Sequence, residues 1–201
     1  MVNGYKIVLA SNSPRRRELL AGLDVEFEVR VLSGIDESYP ATLPVMETAE
    51  YIASKKAAAY RQQMAGNELV ITADTVVIVD DEVLGKPADA AEAKVMLKKL
   101  GGRSHQVVTG VCLTTLHQSV RFSVTTDVTF GQLADEEIDY YIKKYQPFDK
   151  AGAYGIQEWI GYIGCTGLRG SYFNVMGLPV QRIYTELQKF TRLHSLPDCR
   201  Q

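Results

Sequence analysis

Long apolar stretches are missing from this sequence: no run approaches the roughly 18 consecutive apolar residues of a membrane span, so no membrane association is expected. The apolar run near the N-terminus, residues 7–10, is too short for the core of a secretory signal and reads as a first strand. A cytoplasmic setting is the corresponding expectation. Cysteine is scarce. Cys112, Cys165 and Cys199 are odd in number, widely spaced and without a CxxC, which suits reduced thiols better than a disulfide framework. Histidine is as scarce: His105, His117 and His194 form neither an HExxH nor a zinc-type cluster. A metal, if used, is then held by carboxylates, which favours Mg2+ or Mn2+. A basic excess is also absent. The net charge is −2, so stable nucleic-acid binding is not expected and any anion site must be local. There is no Walker A sequence and no GxGxxG, so neither a P-loop nor a Rossmann dinucleotide site is supported.

What remains is ordinary globular material. Among 201 residues, 46% are hydrophobic and 23% charged, enough for one substantial core or two closely joined lobes. No repeat or linker interrupts the chain. The patterning predicts strands over 6–10 and 25–31, and helices over 14–21 and 45–64. A long β-rich run follows over 68–79, with a short return strand over 82–84. A helix over 89–100 has Asp89 as its cap, Glu92 at the capping-box spacing and Gly101-Gly102 as its stop. Residues 104–115 and 119–130 read as a Val- and Thr-rich hairpin. A helix over 135–145 ends before Pro147, and 150–157 reads as a glycine-bearing loop. Residues 160–165 and 172–175 are short strand candidates, and 178–190 is a closing helix. Residues from 191 onward read as a loose tail. The mixture predicts an α/β protein with a long mixed sheet, not a regular doubly wound fold.

Six segments carry chemistry. In Ser11-Asn12-Ser13-Pro14-Arg15-Arg16-Arg17, Ser13 suits an N-cap and Pro14 a first helical turn. Three arginines then follow where the helix dipole is positive, which disfavours each by roughly 0.3–1 kcal/mol at an exposed site. A bound anion reverses that balance, because backbone N–H groups and arginine forks point at the same phosphate. A solvated basic turn is the plain alternative. Successive helix residues diverge by about 100°, so Arg15 and Arg16 are assigned to the anion and Arg17 to the surface. Asp74-Thr75 interrupts an apolar run, which is costly unless the carboxylate is paired, metal-bound or at a wet strand end. Held on a strand, Asp74 suits a metal ligand or general base.

Lys56 falls on the inward stripe of its helix with Ala49, Ile52, Ala53 and Tyr60. It is either a snorkelling edge residue or a cation facing a phosphate. Gly85-Lys86-Pro87 is a weak signal alone, but the preceding hairpin is able to return Lys86 toward Asp74. Asp36-Glu37 is an acidic loop pair, solvated in the plain reading and metal-binding if near Asp74. In the segment from Asp149 to Gln157, small residues permit close backbone approach, and the Gln157 amide is able to read a base edge.

Taken together, these pieces resemble the Maf family of nucleotide pyrophosphatases. The matching segments are LASNSPRRRELL, GIDE, KKA, ITADTVV, GKP, HQVVTGV, DVTF, DKAGAYGIQ and GLP, in the family's order from Leu9 to about Phe190. The resemblance implies one domain over 1–190: an elongated mixed sheet flanked by helices, with two lobes and a central cleft, similar to inosine triphosphatases. It implies metal-dependent hydrolysis of a nucleoside triphosphate to the monophosphate and pyrophosphate. Asp74 takes the catalytic position; Ser11, Arg15, Arg16, Lys56 and Lys86 line the phosphate site; Glu37 joins Asp74 at the metal. Arg15, Thr75 and Gln157 match the subgroup that acts on dTTP and UTP, and modified pyrimidine nucleotides are also plausible substrates. A sister subgroup acting on 7-methyl-GTP typically carries Trp, Gln and Glu there. A homodimer is expected through the resemblance alone. A non-catalytic nucleotide-binding regulator of septum formation is the rival class.

Overall fold

The computed structural model describes residues 4–193, with side chains described to residue 190. The chain begins with β1 (Lys6–Leu9), α1 (Pro14–Ala21) and β2 (Phe27–Val29). A 3-10 turn, Val45–Glu47, leads into α2 (Thr48–Arg61), followed by β3 (Glu68–Val79), β4 (Glu82–Leu84) and α3 (Ala90–Leu100). Next come β5 (Ser104–Thr114), β6 (Ser119–Phe130) and α4 (Asp135–Tyr145). The chain then forms a 3-10 turn at Ala151–Ala153, α5 (Trp159–Gly164), β7 (Cys165–Arg169), α6 (Tyr172–Val175) and α7 (Val180–Leu193).

The strands form one open, mixed seven-stranded sheet in the order β2-β1-β3-β5-β6-β7, with β4 paired to the end of β3. β1 runs parallel to both β2 and β3, and all other pairs are antiparallel. The placement of β1 and β4 along β3 matters most. β1 pairs with Glu68 to Ile71, and β4 pairs only with Val77 to Val79. Between them, residues 72–76 of β3 keep β5 on one side while their other edge opens. On either side of this opening lie two separate cores. One holds Val77, Leu97, Val107, Phe130 and Ile138; the other holds Ile7, Leu20, Ile71, Val111 and Leu187. These are the two lobes, and the opening is the cleft between them.

Local chemistry explains most element ends. The Ser13 hydroxyl caps α1 by accepting the Arg16 N–H, with Pro14 in the first turn. The Asp89 side chain caps α3 by accepting the Glu92 N–H, and the Glu92 carboxylate accepts the Ala88 N–H at 2.6 Å. α2 lies directly on the sheet because β5 carries Gly110 beneath it. A Cβ there would stand 2.2 Å from the Glu50 nitrogen. Thr72 of β3 adds a hydrogen bond of 2.8 Å to the Ala53 carbonyl, fixing the rotation of α2.

Several boundaries and two element types differ from the sequence reading. β2 covers only 27–29 of the expected 25–31, and the helix expected over 45–64 divides into the 3-10 turn and α2. Residues 159–164, read mainly as strand, form α5. Ile160, Gly161 and Gly164 are buried there and Tyr162 is 82% exposed, a helical spacing that the short apolar run disguised. Gly161 also permits a contact no strand would make, since a Cβ on it would lie 1.9 Å from the Ile156 oxygen. Residues 172–175 are likewise helical, capped by the Ser171 hydroxyl on the Asn174 N–H with Asn174 turned inward. α7 starts at Val180 and continues to Leu193, so the expected tail from 191 begins within it; the rest of that tail lies outside the described residues. No helix among the described residues is long and apolar enough to cross a membrane.

Candidate active site

The opening along β3 is the mouth of a cavity of about 780 Å³, and all nine residues to which the resemblance gives a site role line it. Six basic and three acidic side chains face this one space, in a chain whose net charge is −2. The anion-favouring potential is therefore local.

α1 supplies one wall with its capped N-terminus. Ser11 is buried, and its hydroxyl oxygen accepts the Ser13 N–H at 3.2 Å, leaving the hydroxyl proton to give. Arg15 reaches across the cleft and donates to Asp149 at 3.0 Å. Arg16 is placed differently from its neighbour. Its Nε donates to the Gly177 carbonyl at 2.8 Å, Nη1 to the Ala73 carbonyl at 2.9 Å, and Nη2 to the Thr75 hydroxyl at 3.1 Å. Three of its five N–H groups thus bind protein acceptors, and the guanidinium closes the open edge of β3. Burial lowers its pKa, opposed by the charge of Asp74. An arginine stays protonated under either influence. Arg17 is exposed and donates to Asn12.

The floor is β3 and the facing wall is α2. Lys56 Nζ lies 2.8 Å from Asp74 Oδ1 and 3.1 Å from Glu37 Oε1. Both Lys56 and Asp74 side chains are only 13% exposed. Of the acidic pair in the 30–44 segment, Glu37 faces the cleft, whereas Asp36 is exposed and bound by Lys55 at 2.8 Å. That hydrogen bond, with two from Ser38, holds the Asp36 carboxyl well below the ordinary range. Lys86 stands at the rim, exposed and without an ion pair among the described residues.

Two wall residues, Asp149 and Lys150, lie in a segment singled out from the sequence but were given no role of their own there. Lys150 is buried, 2.8 Å from Asp149 and 3.1 Å from Glu158. Burial pushes the Asp149 carboxyl up, but hydrogen bonds from Lys150 and Arg15 outweigh it and hold the pKa below the ordinary value. Asp149-Lys150 opens the glycine-bearing loop, and a charged pair before small residues was the available signal. At the same end, Gln157 lines the cavity with an amide whose buried oxygen has no hydrogen-bond partner. A buried orphan of this kind is rare unless a ligand completes it.

A divalent cation has a partial set of ligands here. The Lys56 ammonium already occupies a point shared by two carboxylates, Asp74 and Glu37. No cluster of three or more His, Cys, Asp or Glu suited to a metal occurs among the described residues. Two carboxylates fit a hard cation that takes its remaining oxygens from substrate phosphates and water.

The fold and cleft define an α/β protein with a polyphosphate-sized anion pocket built around a strand-borne carboxylate. The chain matches the Maf-like protein family model over residues 6–190 and belongs to that family. A relative in Phocaeicola vulgatus named dTTP/UTP pyrophosphatase is 63% identical over 185 residues, covering 92% of this chain and 96% of that one. Proteins of the same name in Parabacteroides distasonis and Porphyromonas gingivalis (strain ATCC 33277) are 61% and 56% identical. Each match covers 92% of this chain, with 96% and 94% of those chains. A solved HAM1 protein from Coxiella burnetii superposes with a TM-score of 0.46 at 14% identity, covering 92% of this chain and 99% of that one, a likeness too distant to add to the argument.

Proposed function

We propose that this chain hydrolyses dTTP and UTP to the nucleoside monophosphate and pyrophosphate. The observation that carries the reading is the convergence of Lys56, Asp74 and Glu37 beside a wall of Arg15, Lys86 and Lys150 in one cavity. The close relatives bearing that activity as their name support it.

The triphosphate enters where the α1 N-terminus, the Ser11 hydroxyl and the cationic side chains offset its charge. Arg15 and Lys86 are the cations best placed to engage it, because Arg16 is largely committed to the protein. Asp74, held by Lys56, orients a water toward the α-phosphorus and takes its proton as the new P–O bond forms. The bond between the α-phosphorus and the bridging oxygen breaks, and pyrophosphate leaves with the electron pair among the same cations. Mg2+ or Mn2+ at Asp74 and Glu37 supplies charge neutralisation of the phosphates when bound. Thr75 and Gln157 face the base and select it. A cytoplasmic homodimer belongs to the same reading.

Pyrophosphate release from dTTP, UTP, CTP, GTP and 7-methyl-GTP, each with Mg2+ or Mn2+, tests this. Turnover of dTTP and UTP supports it. Turnover of 7-methyl-GTP alone overturns the substrate assignment, and binding without release overturns the enzymatic one.

A further inference from the structure

The Thr75 hydroxyl has one proton and two lone pairs, and its neighbours fix where the proton goes. Arg16 Nη2 donates to one lone pair at 3.1 Å. On the other side, Thr75 Oγ1 stands 2.9 Å from Thr109 Oγ1, its cross-strand partner on β5. Thr109 is wholly buried, and its hydroxyl lies 3.1 Å from the Asn174 carbonyl oxygen. A carbonyl only accepts, so Thr109 uses its single proton there. The contact between the two threonines must then take the proton of Thr75. This is the one arrangement that gives every contact in the chain its own proton. Asn174 is itself held in place, since its Nδ2 donates to the Val107 carbonyl at 3.1 Å and to the Thr126 hydroxyl at 3.0 Å. Thr75, which lines the cavity, is left with one unused lone pair and no proton.

We propose that Thr109 is a positioning residue for base selection: by taking the proton of Thr75, it makes that hydroxyl an acceptor only. This rests on the reading of the cleft as a dTTP and UTP site. The edge of uracil or thymine carries a single N–H donor, N3–H, between two carbonyls. Cytosine presents a lone pair at the same ring position. Set opposite ring position 3, an acceptor-only hydroxyl meets the first and repels the second. A hydroxyl free to turn would meet either.

The experiment measures kcat/KM for UTP and CTP in the wild type, Thr109→Val and Thr109→Ser. Valine keeps the shape of threonine and removes the acceptor, releasing the proton of Thr75 to the cleft. The expected result is a UTP preference in the wild type, a fall of at least about tenfold in the UTP:CTP ratio for Thr109→Val, and restoration of the ratio by Thr109→Ser. A purely structural role would lower both rates together; an unchanged ratio in Thr109→Val overturns the proposal, as does an equal loss of ratio in Thr109→Ser. Should the valine variant not fold, Thr109→Ala is read in its place. A wild type that turns over CTP as well as UTP overturns the underlying base assignment, a failure visible before any variant is made.

Discussion

Lys56 holds Asp74 at 2.8 Å, joining the middle of α2 to residues 72–76 of β3, which pair with β5 alone. The pair fixes the carboxylate where a cavity of triphosphate size begins. Asp74→Asn keeps an acceptor for Lys56 but removes the proposed base. Turnover is expected to fall by at least about a thousandfold, with a far-UV spectrum like that of the wild type and a melting temperature within a few degrees of it. A rate close to wild type would remove Asp74 from the reaction.

Lys56→Ala leaves Asp74 and Glu37 facing one another without their shared cation. The protein is expected to lose about 1–3 kcal/mol of stability, because the largely buried Asp74 carboxylate loses its partner. A divalent cation is able to take the vacated place, so Mn2+ should raise the melting temperature of the variant more than that of the wild type. Thermal unfolding with and without Mn2+ measures this independently of activity. No shift in the variant would argue that these two carboxylates do not share an ion.

Gly110 is where α2 rests on the sheet, with no room for a methyl group against the Glu50 nitrogen and the Ala49 carbonyl carbon. Gly110→Ala should cost about 3 kcal/mol and displace Lys56 with its helix. Urea unfolding gives the first effect. A raised KM in the surviving folded protein gives the second.

His105 is buried against Phe130 and Tyr154, and its pKa is lowered to about 4 by that burial. The unfolded chain binds its proton near pH 6.5, where an ordinary histidine titrates. Between these values the unfolded state holds the extra proton, so stability falls as pH drops from about 6.5 to about 4 and levels off below. His105→Phe should flatten the dependence of the unfolding free energy on pH across that window. An unchanged slope in the variant would assign the effect to other groups.

Most elements were legible because their ends carry local chemistry. Ser13 before Pro14, Asp89 before Glu92 and the unbroken β-rich run to Val79 each state a boundary in a few residues. α5 and α6 were not legible, since six and four residues offer too little periodicity to separate helix from strand. The site residues were legible in type and only partly in partnership. The excess of arginine at the start of α1 pointed to a local anion site, and these arginines do line the cavity. Nothing in the sequence distinguished Arg15, which crosses to Asp149, from Arg16, which is used by the carbonyls of Ala73 and Gly177. Thr109 was hidden for the same reason, because its partner Asn174 lies 65 positions away.

The two acidic side chains of the cleft stand on unlike supports. Asp74 is built into a strand in register with Gly110, while Glu37 belongs to the 30–44 segment, which has no regular ladder or helix. In the proposed site one ligand would be anchored by a strand ladder and the other would have none. Ions of different radius would then be accommodated by adjusting Glu37 alone, without shifting the carboxylate proposed to face the scissile bond.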